Sequence, residues 1–206
     1  MKKYLSSTSV IDCESVPIQE KARDLTQGQE DTIEKAKRLF YFVRDNIKYN
    51  LYVPKLLPEY FRASNTLFRG EGYCVQKAVL LAALARAVGV PAGLGFARLR
   101  NNLLPRRTIE RLGTNILPFH GYTNLYLQGK WVKATPSFDL DMCLKYRIIP
   151  VEFDGINDAV FHTHNQDGEL YIEYLADLRH YNDLPLDRLK KALTEHFGDW
   201  ILEPTK

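Results

Sequence analysis

Cys74 stands at the end of Gly70-Glu71-Gly72-Tyr73-Cys74, just ahead of an uncharged run from Ala78 to Ala85. Glycines that permit close backbone approach, then a thiol, then an apolar helix place a cysteine at a helix N-terminus. Unpaired N–H groups and the positive end of the macrodipole there favour a thiolate over a thiol. His120 follows 46 residues later, in Phe119-His120-Gly121-Tyr122, at the head of a strand-like run. A thiol that attacks and an imidazole that moves its proton are the two parts of covalent acyl transfer. Such an imidazole needs a third group to hold its tautomer and orientation. Thr135 to Asp139, at the end of the next strand-like run, are placed to supply it. The Cys74 backbone N–H and Gln76 are the expected oxyanion donors.

The elements that must position these residues are legible in outline. A short helix is expected over about Ser15–Leu25, with Ser15 as N-cap and Pro17 in its first turn. A second is expected over about Gln29–Lys48, where Ile33, Ala36, Leu39, Phe40, Val43 and Ile47 recur at helical spacing. Tyr49–Pro58 reads as extended, broken by Pro54 and Pro58. The thiol helix runs from Cys74 to Val88 and is stopped by Gly89-Val90-Pro91. A strand follows over Ala92–Leu99. Asn101–Pro118 is a polar, basic excursion, either one rim of a cleft or a plain surface insertion. Gly121–Gln128, the turn at Gly129-Lys130 and Trp131–Thr135 form a hairpin. Further strands are expected at Ala159–His162 and Leu170–Tyr174, and an amphipathic helix at Leu186–Phe197, with Asp183 or Pro185 near its start. The whole reads as one α+β domain over residues 1–206. Its core is about 30–140 and its C-terminal extension about 150–206, with helices packed on a mostly antiparallel sheet.

Composition narrows the function classes. With 45% hydrophobic and 26% charged residues the chain is globular rather than disordered. A net charge of +3 without a basic, aromatic-interleaved stripe argues against nucleic acid. Arg98, Arg100, Arg106, Arg107 and Arg111 read as a solvated loop cluster. No stretch has transmembrane length, so no membrane association is expected. Three cysteines at scattered spacing exclude a complete disulfide framework and fit a reducing compartment. With no signal-peptide run at the N-terminus, a cytoplasmic protein is expected. Cys13 and Cys143 read as buried or surface thiols without chemistry, and Trp131 as core. His162 and His164 share a strand face, but without a third ligand they read as surface or packing residues.

Gly72-Tyr73-Cys74 followed by Leu80 to Ala92, then His120-Gly121-Tyr122 and Gly129-Lys130-Trp131-Val132, resembles the motif series of the transglutaminase-like superfamily. Tyr41 to Tyr49 resembles the helix these domains carry upstream of the cysteine. The resemblance covers about Ile33 to Asp139 and implies a papain-like fold with a Cys-His-Asp triad, here Cys74, His120 and Asp139. The family pattern carries its aspartate where this chain has Thr135. Asp139 lies four residues further on, and Thr135 or Asp141 are the alternatives. Tyr122 stands where many members have tryptophan. The resemblance implies an amide-cleaving cysteine enzyme working through a thioester on a peptide or protein substrate, with no metal or organic cofactor. Protein-glutamine transamidation, a non-catalytic peptide- or protein-binding relative, and acetyl transfer as in arylamine acetyltransferases are the other readings it opens.

Overall fold

The computed structural model describes residues 1–53 and 57–202, the side chain of Trp200 excepted. Helix α1 (Val16–Thr26) starts as its sequence dictates, with Ser15 at the N-cap and Pro17 in the first turn, where a missing N–H costs nothing. Helix α2 (Thr32–Asn46) begins at Asp31, whose carboxylate accepts the Glu34 N–H at 2.8 Å. Such a cap is worth about 1 kcal/mol. The apolar stripe of α2, Ala36, Leu39, Phe40 and Val43, is buried. Strand β1 is only Lys48–Tyr49. The extended run expected beyond it gives way to a turn and a 3-10 helix at Pro58–Tyr60; Pro54 lies outside the described residues.

Helix α3 (Ala63–Arg69) ends on Gly70 in the left-handed conformation, and strand β2 (Glu71–Gly72) pairs parallel with β1. Helix α4 (Cys74–Ala87) is the centre of the molecule. All of it from Cys74 to Arg86 is buried, which explains why its run from Ala78 to Ala85 is apolar on every side rather than striped. Its buried Lys77 donates to the carbonyls of Arg44 (3.0 Å) and Ile47 (2.6 Å). This lysine thereby satisfies the open C-terminal carbonyls of α2 and fastens that helix to the thiol helix.

The second half builds an antiparallel sheet. Strand β3 (Ala92–Asn101), helix α5 (Arg106–Leu112), strands β4 (Ile116–Leu127) and β5 (Lys130–Ala134), helix α6 (Leu140–Lys145), strand β6 (Ile172–Tyr181) and helix α7 (Leu186–Phe197) follow in order, closed by a 3-10 turn at Asp199–Leu202. The strands lie in the order β5-β4-β3-β6. The β4–β5 turn has φ +46° at Gln128 and +85° at Gly129, the two positive values that a two-residue hairpin loop needs to match strand twist. Leu125 and Leu127 of β4 are buried, and Thr123 Oγ1 donates to the Ala78 carbonyl of α4 at 2.9 Å.

Helices packed on an antiparallel sheet give the expected α+β class. The later strands differ from expectation. Ala159 makes one bridge to Ala134, and Leu170 one to His164; the true strand is the ten-residue β6, antiparallel to β3. Most of β6 is exposed. A polar edge strand is held by its neighbour's backbone and does not have to advertise itself by alternation. The excursion after β3 also acquires structure, as helix α5.

Candidate active site

The thiol is placed by three neighbours. Tyr73 is the N-cap of α4, so Cys74 is its first helical residue. Gln76 locks that turn: its side-chain Oε1 accepts the Tyr73 N–H at 3.2 Å, while its Nε2 donates to the Tyr60 carbonyl at 2.8 Å. These bonds make Gln76 a brace for the loop, and its amide points to Tyr60. The parallel pairing of Tyr49 with Gly72 then sets the β1 segment alongside the residues that lead into Cys74.

His120 comes from β4, four residues inside the strand rather than at its start. Its position depends on a bulge. Ala97 pairs with His120, but the next pair is Leu99 with Leu117. Thus β4 carries one extra residue at Pro118–Phe119, where proline has no ladder N–H to lose. Consecutive residues of a flat strand face opposite sides. Across this bulge Leu117, Pro118, Phe119 and His120 all line one cavity, together with Cys74. Gly121 completes the fit. A Cβ there would stand 3.0 Å from the Val75 Cα, a tight contact, so glycine lets β4 press against the first turn of α4 without a shift.

The shared cavity is small, about 30 Å³, room for roughly one water. Tyr49, Leu51 and Tyr73 form one side, Leu112 of α5 another, and Leu193, Phe197 and Ile201 roof it from the C-terminal segment. Cys74 is 7% exposed and His120 2%. Burial alone pushes the imidazole down to about 3, so the ring is neutral at physiological pH. Its Nε2 is buried without a hydrogen-bond partner, and its ring lies 5.0 Å from Phe161. Phe161 stacks on Phe138 at 4.8 Å, and Phe138 meets Tyr49 edge-on at 4.8 Å. The imidazole is thus seated by an aromatic chain. Burial, with the nearby Cys74 adding to it, holds the phenols of Tyr49 and Tyr73 well above their ordinary range. Neither can serve as a base.

Asp139 is buried at the N-cap of α6. One carboxylate oxygen accepts the Met142 N–H at 3.0 Å and the other the Tyr49 N–H at 2.7 Å. The carboxylate therefore holds Tyr49, a wall of the cavity, and makes no bond to His120. Thr135 is buried at the end of β5, its N–H on the Ala159 carbonyl at 3.0 Å. Asp141 is exposed and paired with Lys48. Cys13 and Cys143 are buried and reduced; burial raises both thiols, Cys143 to about 11. Trp131 is half-buried, packed edge-on with Tyr4 and His180. Arg100 pairs with Glu173, and Arg106 with Glu110. Among the described residues no group of three His, Cys, Asp or Glu side chains is placed to hold a metal ion, and no helix is long and apolar enough to cross a membrane.

Sequence reasoning missed Phe161 and the roof. Phe161 lies in an irregular segment with no periodicity to flag it. Leu193 and Phe197 read as an ordinary helix stripe, and nothing local says which surface such a stripe covers.

The fold has solved counterparts. A candidate cysteine protease from Cytophaga hutchinsonii superposes with a TM-score of 0.51 over 86% of this chain at 16% identity. This chain spans 53% of that protein's length. A candidate protease from Parabacteroides distasonis matches over 66% of this chain and 25% of its own, with a TM-score of 0.43 and 17% identity. An arylamine N-acetyltransferase from Mycobacterium abscessus matches over 65% of this chain and 46% of its own, with the same TM-score and identity. No curated protein gives a significant match. The model of the transglutaminase-like superfamily, in contrast, matches residues 19–136, from α1 past the end of β5 and through both Cys74 and His120. That span is more than half of the chain, and the chain belongs to the transglutaminase-like superfamily.

Proposed function

We propose that this protein is a cysteine-dependent acyl-transfer enzyme that cleaves amide bonds, a peptidase or amidase. The observation that carries the reading is the meeting of Cys74, first residue of α4, and His120, beyond a bulge of β4, in one cavity. The Cys74 sulfur attacks the amide carbonyl carbon and its proton passes to the neutral His120. First-turn N–H groups of α4 stabilise the oxyanion. His120 then protonates the departing amine, leaving a thioester on Cys74. Water, deprotonated by the same imidazole, releases the carboxylic acid and restores the thiol. An amine in place of water gives transamidation through the same thioester. The structural neighbour described as a candidate cysteine protease supports hydrolysis.

Asp139 acts here as a positioning residue, through Tyr49 and the α6 cap. A cavity of about 30 Å³ cannot admit an amide substrate, so turnover requires the α7 roof to lift. Lifting it also hydrates His120 and so eases its protonation during the reaction.

Alkylation by iodoacetamide, followed peptide by peptide, tests the reading. Cys74 is expected to react faster than Cys13 and Cys143, and to slow about a hundredfold in His120→Ala, the scale of general-base assistance. Equal reactivity of Cys74 in both proteins would overturn it.

A further inference from the structure

Beside the catalytic cavity lies a second one of about 460 Å³, within the size range of ligand sites. The two share Tyr49, Leu51 and Leu117 as a common wall. The floor of the larger pocket is apolar, from Leu103, Leu104, Phe138, Met142 and Ile148. Its charges are spent or peripheral. Both Asp139 oxygens accept backbone N–H groups, Lys48 and Asp141 pair at the exposed rim, and the exposed Lys145 lies over the Tyr146 ring with no carboxylate partner among the described residues. A basic group entering would lose hydration without gaining a partner.

One polar group in the lining stands apart. Tyr171 is 1% exposed, and its hydroxyl has no hydrogen-bond partner among the described residues. Its backbone is fixed on both sides, its N–H on the Thr163 carbonyl (2.7 Å) and its carbonyl on the Asn102 N–H (2.8 Å). A rigidly held, buried and unpaired hydroxyl is costly unless a ligand completes it. Burial keeps the phenol protonated.

We propose that this pocket is the enzyme's specificity subsite, which takes a bulky apolar side chain of the amide substrate while the Tyr171 hydroxyl hydrogen-bonds a carbonyl of the same residue. The inference rests on the amide-cleaving reading above for its function, but its binding can be read without the thiol. The pocket selects large apolar side chains because its floor is apolar, and it disfavours basic ones because Lys145 stands at its rim.

The test measures binding of three probes to the full chain by NMR titration: N-acetyl-phenylalaninamide, N-acetyl-alaninamide and N-acetyl-lysinamide. The phenylalanine probe should bind at least about tenfold tighter than the other two, the scale of burying one large apolar side chain. Tyr171→Phe should weaken it about fivefold, one hydrogen bond's worth. Leu104→Trp, on the half-buried loop, should fill the pocket and abolish binding; should that variant not fold, Tyr171→Phe still decides. Equal binding of the three probes, or phenylalanine binding indifferent to Tyr171→Phe, overturns the subsite. Cys74→Ser should leave probe binding intact. An inert Cys74 with selective binding sinks only the amide-cleaving reading, whereas a reactive Cys74 with no selectivity sinks only the subsite.

Discussion

Two cavities lie back to back in this protein and share a wall of Tyr49, Leu51 and Leu117. One, of about 30 Å³, holds the thiol and the imidazole and is lined on one side by Leu193, Phe197 and Ile201. The other, of about 460 Å³, is walled partly by α6 and the loop after β3, with a charged rim. On the proposed reading, the difference teaches that reactivity and recognition are built by separate means. Reactive groups are set by backbone: a helix start, a bulge and a glycine contact. The larger pocket is made by side chains over connecting segments, where shape can vary without disturbing the chemistry.

The comparison breaks most sharply at the thiol. Cys74→Ser should lower amide hydrolysis by about a thousandfold or more, in the range of losing one member of a catalytic unit. It should leave the larger pocket unchanged, as read by the phenylalanine probe.

The smaller cavity should next reveal itself through pH. His120 is neutral when folded and titrates at about 3, against an ordinary 6.5. Between these values the unfolded chain binds a proton that the folded one refuses. Stability is therefore present above about pH 6.5, falls as pH drops through the window, and levels off below about 3. At 1.36 kcal/mol per unit the loss is at most about 5 kcal/mol. Urea denaturation of wild type and His120→Gln over this range should show a slope in the first that is shallower in the second; parallel curves would mean that His120 is not sealed.

Opening the roof is a smaller perturbation. Leu193→Ala should destabilise the fold by about 2–3 kcal/mol and raise the alkylation rate of Cys74 about tenfold, equivalent to about 1.4 kcal/mol of easier opening. Cys13 and Cys143 should not change. An unaltered rate at Cys74 would show that α7 does not control access.

The shared wall comes next. Asp139→Ala removes the acceptor for Tyr49 and the cap of α6, at a cost of about 1–2 kcal/mol in chemical denaturation. Alkylation of Cys74 should change by less than about threefold, because the carboxylate does not bond to the imidazole. A hundredfold loss at unchanged stability would instead assign Asp139 to the histidine. At the rim, Lys48→Ala should leave the denaturation midpoint essentially where it is, since exposed pairs contribute little.

Much of this was legible in the chain. The stripe of α2, the uncharged run of α4 and its stop at Gly89, and the span of α7 all rest on local rules of period and capping; the hairpin was legible too, but its turn falls on Gln128-Gly129, one residue before the expected Gly129-Lys130. Cys74 at a helix start followed from the same rules. The extent of β6 was not legible, because an exposed edge strand takes its register from β3. By sequence alone Asn101–Pro118 fits a cleft rim and a surface insertion equally. In the fold its residues line both cavities, Leu104 and Thr108 on one side and Leu112 on the other, with Leu117 between.

The third position of the triad shows the limit. Sequence spacing offers Asp139, Thr135 and Asp141, and tertiary contacts give each a different place: backbone acceptor, strand end and surface ion pair. What the sequence determined by itself was the choice of Cys74 and His120 as the candidate pair and the helices and hairpin that carry them, since those depend on interactions within a few residues. What only the tertiary structure decided was the burial of that pair, the roof above it and the pocket beside it. Those depend on which apolar faces meet across the chain, and hydrophobic burial has no direction written into local sequence.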